Sequence, residues 1–214
     1  MTEWITPGQF HDAAGVQDWR VLYDGAHAHF RTGSFAVGVA LVDAIGKVAA
    51  DRHPDVDLRS EGVSVGLTTR DVDGLTERDI EVARQISAVA RELGAVADPS
   101  AVQVVEVAVQ ALVISDVQPF WSAVLGYAER GPVDLVDRHG HGPTLGLQPM
   151  DAPRPQRNRI HIDISVPHDQ AEARIAEAIA AGGRLVTDRY APAWWVLADS
   201  EGNEACVATW MGRD

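Results

Sequence analysis

The sequence is short of two residue types: Cys206 is its one cysteine and Lys47 its one lysine in 214 residues. A lone cysteine excludes an internal disulfide framework and a cysteine-built zinc cage. Also missing is any apolar run near the roughly 18 residues that a membrane-spanning helix needs. The polar, acid-bearing start has no signal-peptide pattern. A soluble, cytoplasmic protein with no membrane partner is expected. Because lysine is nearly absent, the 18 basic residues are almost all arginine, which reads as a codon-composition bias. The net charge of −13 repels phosphates and argues against nucleic acid. No basic arm hides within that sum: 9 basic face 15 acidic residues in 1–97, and 9 face 16 in 98–214.

The length suffices for one or two domains, and an apolar fraction of 46% is that of a globular chain. The best boundary is "LGAVADPSAVQ" at 93–103, where Gly94 can cap a helix and Asp98-Pro99-Ser100 reads as a turn. Domains over 1–97 and 101–214 are therefore expected.

In the first domain Thr6-Pro7 suits an N-cap with proline at the first helical position, giving a short helix to about Ala14. "WRVLYDGAHAHFR" reads as a hairpin around Asp24-Gly25. Its second strand places Ala26, Ala28 and Phe30 on one face and His27, His29 and Arg31 on the other. Val37, Ala40, Leu41, Ala44, Ile45 and Val48 recur at helical spacing between Ser34 and Asp51, and Pro54 stops that helix. A second strand pair includes "GVSVGLTTR", and Thr76 caps a helix with the stripe Ile80, Ala83, Ile86, Ala90 and Leu93. The order α-β-β-α-β-β-α describes an α+β domain with helices on one face of an antiparallel sheet.

The second half reads as a weak duplication of a β-α-β-β-β unit. "VEVAVQALVI" and "DVQPFWSAVLG" lead to strands near 132–137 and 143–148. "RIHIDISV" and "DQAEARIAEAIAAGG" lead to "RLVTD", "AWWVLAD" and "EACVATW". Trp121 is expected in the core. Trp194 and Trp195, adjacent on a strand, must face opposite sides. "HGHGP" at 139–143 reads as a glycine-rich turn rather than a metal loop.

Chemistry centres on "ADRHPDV" at 50–56. An imidazole suits proton transfer at neutral pH, and a helix end before a proline turns His53 toward a pocket or leaves it on the surface. From Phe30 to Asp79 the chain resembles the pterin-4a-carbinolamine dehydratases. The residues that carry the likeness are Asp51, His53-Pro54, Leu67, Thr69 and "GLTERD" at 74–79, with Trp19 and Phe30 upstream. It spans roughly residues 4–93. The resemblance implies the element order just read, a dimer or tetramer, and loss of water from a 4a-hydroxy-tetrahydropterin without metal or nucleotide. It implies catalytic roles for His53, Asp51 and Asp79 and a substrate-side place for Trp19. The family pattern has two adjacent histidines where this chain has Arg52-His53, and a third where it has Arg70. Its aromatic positions are Val56 and Ser60 here. A guanidinium does not exchange protons at neutral pH, and one well-placed acid–base group is worth about 10²–10⁴ in rate. Arg52 and Arg70 suit forked hydrogen bonds to an anionic ligand, or they pair with Asp51, Asp55, Asp57 or Asp71.

The second half resembles the glyoxalase-like members of the vicinal oxygen chelate superfamily. "FWSAVLGY" (120–127), "PTLGLQ" (143–148), "NRIHIDISV" (158–166), "AGGRLV" (181–186) and "WWVLADSEGNEAC" (194–206) carry that likeness. It implies two units around a shared cleft and a ligand set of Glu106, Gln148, His161 and Glu204 for a divalent metal. The last ligand position itself falls on Cys206. Three functions follow as expectations. The first is a 4a-hydroxytetrahydrobiopterin dehydratase, the second a non-catalytic binder of a pterin-like or anionic small molecule. The third is a metal-dependent isomerase or dioxygenase in the second cleft.

Overall fold

A computed structural model describes residues 4–22, 25–153, 162–209 and 211. The chain divides into two compact units, Met1–Val104 and Val105–Asp214. Among the described residues no helix is long and apolar enough to cross a membrane.

The first unit runs β1 (Trp4–Ile5), α1 (Pro7–Asp12), β2 (Arg20–Leu22), β3 (Gly25–Arg31), α2 (Phe35–Val48), β4 (Asp55–Leu58), β5 (Gly62–Leu67), β6 (Leu75–Thr76), α3 (Glu77–Glu92) and β7 (Val96–Ala97). A 3-10 turn, Arg70–Val72, precedes β6. The antiparallel sheet has the order β2-β3-β5-β4, with β7 added against the end of β3. β1 and β6 form a separate two-stranded ribbon. Helix starts follow the side-chain chemistry. Thr6 makes a capping box with Gln9, and Ser34 Oγ accepts the Val37 N–H.

Alternation in β3 sorts its residues as the period of two demands. Ala26, Ala28 and Phe30 face Val63, Val65 and Leu67 of β5 inside the core, and Leu41, Ile45, Ile80, Ala83 and Ile86 come down on them from α2 and α3. Burying each large aliphatic side chain there contributes about 1.5–3 kcal/mol. Gly38 lets α2 approach the sheet, since a methyl group there would sit 2.5 Å from Leu58 Cδ1. Two boundaries differ from expectation. α2 ends at Val48, six residues before the proline, because Ala49 O is taken by the turn N–H groups of Arg52 and His53. Leu93 caps α3 rather than extending its buried stripe, and is exposed. The turn residue Asp24 lies outside the described residues.

The second unit contains β8 (Glu106–Ala111), α4 (Ile114–Leu125), β9 (Ala128–Arg130), β10 (Asp134–Val136) and β11 (Thr144–Pro149). It continues with β12 (Ile162–Ser165), α5 (Ala171–Ala180), β13 (Arg184–Thr187), β14 (Trp194–Ala198) and β15 (Glu204–Ala208). Each half is β-α-β-β-β, with sheet orders β8-β11-β10-β9 and β12-β15-β14-β13. The first and last strands of each half pair in parallel and the rest antiparallel. One core takes Phe120, Trp121 and Val124 from α4, Ala171 and Ala178 from α5, and Leu145, Leu147, Leu197, Ala205 and Val207 from the strands. The mixed α+β architecture and the paired β-α-β-β-β units of the second half are those expected from the sequence.

Candidate functional site

Beyond α2 the chain turns on itself. Arg52 N and His53 N both donate to Ala49 O, at 2.9 and 3.4 Å. His53 has φ +48, in the left-handed region, immediately before Pro54. A residue preceding proline is pushed out of the right-handed helical region, and histidine is among the side chains enriched in the left-handed one. This turn separates two neighbours. The Arg52 side chain is only 14% exposed, whereas His53 is exposed.

Arg52 Nη2 donates to Asp79 Oδ1 at 3.0 Å and to Thr69 Oγ1. Asp79 is 1% exposed and sits at the third position of α3. Its Oδ2 accepts the Thr76 N–H at 2.7 Å, Thr76 Oγ at 2.8 Å and Thr69 Oγ at 2.6 Å. Asp79 therefore does three jobs: it caps α3, gathers two threonine hydroxyls and neutralises a half-buried guanidinium. A buried charge needs such a partner, because an unpaired one is strongly destabilising. Arg52 Nε remains buried with no acceptor among the described residues.

The other cations stay at the surface. Arg70 is 78% exposed and pairs with Asp55 at 3.7 Å. Arg78 pairs with Asp51, both well exposed. Trp19 is 0% exposed, and its Nε1 donates to Ala83 O at 3.2 Å and to Ser87 Oγ at 3.1 Å. It is a core side chain of α3's packing surface, not a wall of the site. A shallow cleft of about 370 Å³ opens elsewhere in the unit. Asp18, Phe30, Arg91 and Val96 are among its lining residues; none of Arg52, His53, Thr69 or Asp79 is.

In the second unit the parallel register decides the fate of the metal set. Glu106 lies opposite Thr144 and Gln148 opposite Gln110. The two are thus four residues apart along the ladder, about 13 Å, with side chains standing off the sheet rather than along it. They do not fit one cation. Glu204 opens β15 opposite Ala198, and His161 lies outside the described residues. Among those described, no group of three or more His, Cys, Asp or Glu is placed to hold a metal. Cys206 is buried, in register with Asp163 and Val196. Trp195 packs on the core, while Trp194 stacks on Tyr190 at 4.5 Å between ring centres. "HGHGP" is a turn closed by Asp137, whose carboxylate accepts the N–H groups of His139, His141 and Gly142 at 2.8–3.1 Å.

The family model for pterin 4 alpha carbinolamine dehydratase matches residues 5–89, and that for a glyoxalase-like domain matches 106–208. A Nocardia farcinica protein named for pterin-4-alpha-carbinolamine dehydratase is 41% identical over 78 residues, covering 36% of this chain and 82% of the relative. The chain belongs to the pterin-4a-carbinolamine dehydratase family. An Aquifex aeolicus relative with the same name is 31% identical over 80 residues, covering 36% of this chain and 81% of its own. A crystal structure titled transcriptional coactivator/pterin dehydratase from Brucella melitensis is 24% identical. It covers 41% of this chain and 99% of that one, with a TM-score of 0.39. The protein is a pterin dehydratase-like unit joined to a glyoxalase-like unit.

Within the dehydratase-like unit, Arg52 and Asp79 are brought together directly, and His53 is carried by the same turn. Asp51 and Arg70 are held in separate surface pairs. Thr69 and Thr76 complete the polar cluster. The sequence offered Thr76 only as a helix cap and Thr69 only as a position of likeness. Their signal is the pair of hydroxyls flanking a loop that folds back, through the Thr69–Gly74 bridge, onto the start of α3.

Proposed function

We propose that the first unit dehydrates a 4a-hydroxytetrahydropterin, with His53 as its acid–base group. The observation that carries this is the division of labour in the 52–53 turn. Arg52 is consumed inward by Asp79 and Thr69, and the left-handed backbone at the next residue leaves the imidazole open to solvent and ligand. A single imidazole is enough for the proton balance. In its protonated form it gives a proton to the departing hydroxyl as the C4a–O bond breaks and the lone pair of the ring nitrogen forms C=N. The neutral imidazole then takes the N–H proton from that nitrogen, so water leaves and the catalyst is restored. Asp79 does not share in this exchange: both its oxygens are committed to hydrogen bonds that hold the turn.

Steady-state dehydration of the carbinolamine tests the reading. His53→Ala should lower kcat by about 10²-fold or more, and His53→Asn, which suits the left-handed backbone and cannot exchange protons, should do the same. Turnover unchanged by these substitutions removes His53 from the mechanism. A second reading, ligand binding without turnover, is favoured by Arg52 and Arg70 standing at positions that are imidazoles in the family pattern. It is supported if the wild type stays at the uncatalysed rate while a pterin still raises its Tm.

A further inference from the structure

Trp4 stands one residue ahead of the segment that the dehydratase family model matches, and it is 53% exposed. An indole left that open offers apolar, stacking surface that the core does not use. Its position is specified by its surroundings. β1 pairs with β6 so that Trp4 lies opposite Thr76, and its pyrrole edge packs on Gly74. A methyl group at position 74 would sit 2.5 Å from Trp4 Nε1 and 2.6 Å from Cδ1, so the ring can rest there only over a glycine. Gly74 in turn is bridged to Thr69 across the loop that carries Arg70. Thr69 and Thr76 both donate to Asp79, the partner of Arg52. The exposed indole therefore borders the polar cluster on which the Arg52–His53 turn is anchored.

We propose that Trp4 is the stacking wall of this unit's ligand site, taking the flat face of a fused-ring heterocycle of pterin type. The proposal rests on the reading of the first unit as a pterin site. Trp4 supplies affinity by area and π-stacking and takes no part in proton transfer. Its loss should therefore act on binding alone.

The test uses the full chain, with 7,8-dihydrobiopterin as an unreactive probe in titration calorimetry and the carbinolamine in steady-state assays. Trp4→Leu should weaken probe binding about 10-fold and raise KM to match, with kcat within about 2-fold of wild type. Trp4→Phe keeps a stacking face and should stay within about 3-fold of wild type. Gly74→Ala leaves the indole in the chain but displaces it, and should reproduce Trp4→Leu. Probe affinity unchanged in Trp4→Leu overturns the proposal, as does a wild type that does not bind the probe. The two readings separate cleanly. If turnover requires His53 while Trp4→Leu changes nothing, the stacking wall falls alone. If no turnover is found yet Trp4→Leu still weakens the probe, dehydration falls and the wall stands.

Discussion

Arg52 shows how one residue's role depends on the backbone of the next. The acids that the sequence offers it as surface partners are Asp51, Asp55, Asp57 and Asp71. The left-handed turn at His53 sends the side chain inward instead, to an aspartate 27 residues on. No pattern in the chain announces a positive φ at a histidine before proline, so this contact was not legible. The Arg70–Asp55 pair was among those offered: β4 and β5 pair antiparallel, so Asp55 lies opposite Gly66, four residues before Arg70. The consequence for stability is direct. Arg52→Met leaves Asp79, 1% exposed, without its counter-charge, and should cost about 3 kcal/mol. It should appear as a lower urea midpoint at an unchanged slope. In an Asp79→Asn background the same substitution should cost much less, because the charge it compensated is gone. Equal costs in both backgrounds would show that the pair contributes nothing.

Helix ends with caps of their own are legible in the chain: Thr6 and Thr76 cap helices as expected, and Ser34, expected only as the start of a helical stretch, caps α2. α4 was harder, because its cap comes from elsewhere. Val113 at its N-cap has no capping oxygen. The Leu112 and Val113 N–H groups instead donate to Glu201, at 2.7 and 2.8 Å, from a turn 88 residues away. That turn is itself closed by the buried Asp199, which accepts from Trp121 Nε1, Glu201 N and Asn203 N. Replacing Glu201 with Ala should cost about 1–2 kcal/mol, the ordinary loss for a helix cap. Glu201→Gln, which keeps one of the two accepting oxygens and loses the charge, should recover about half of that in denaturant titrations. A Gln variant as weak as Ala would place the effect in charge alone. Strand register was illegible for a related reason. Whether Glu106 meets Gln148 depends on how β8 aligns with β11 across an intervening helix and two strands, and alternation fixes a face but not a position along it.

At the scale of the whole molecule, each unit buries its own core: Trp19, Phe30 and Ile86 anchor the first, Phe120, Trp121 and Leu197 the second. Both cores follow from residue periodicity, which is why both are legible in the sequence. Two cores predict two components in calorimetry, and Asp137 offers a way to assign them. Partial burial works to raise its carboxyl, but the N–H groups of His139, His141 and Gly142 outweigh that and hold it below the ordinary aspartate value. Because the folded value is the lower one, the stabilisation is complete above the unfolded value of about 3.9 and fades as pH falls through the folded value. Asp137→Asn should therefore lower only the second unit's transition at pH 7, by a few degrees for a loss of about 1 kcal/mol. Once the pH is below that folded value the gap between variant and wild type should close, while the first unit's transition is the same in both. A gap that persists at low pH would mean that turn geometry, not the carboxylate charge, holds the loop. A shift in both transitions would mean that the stabilities of the two units are coupled.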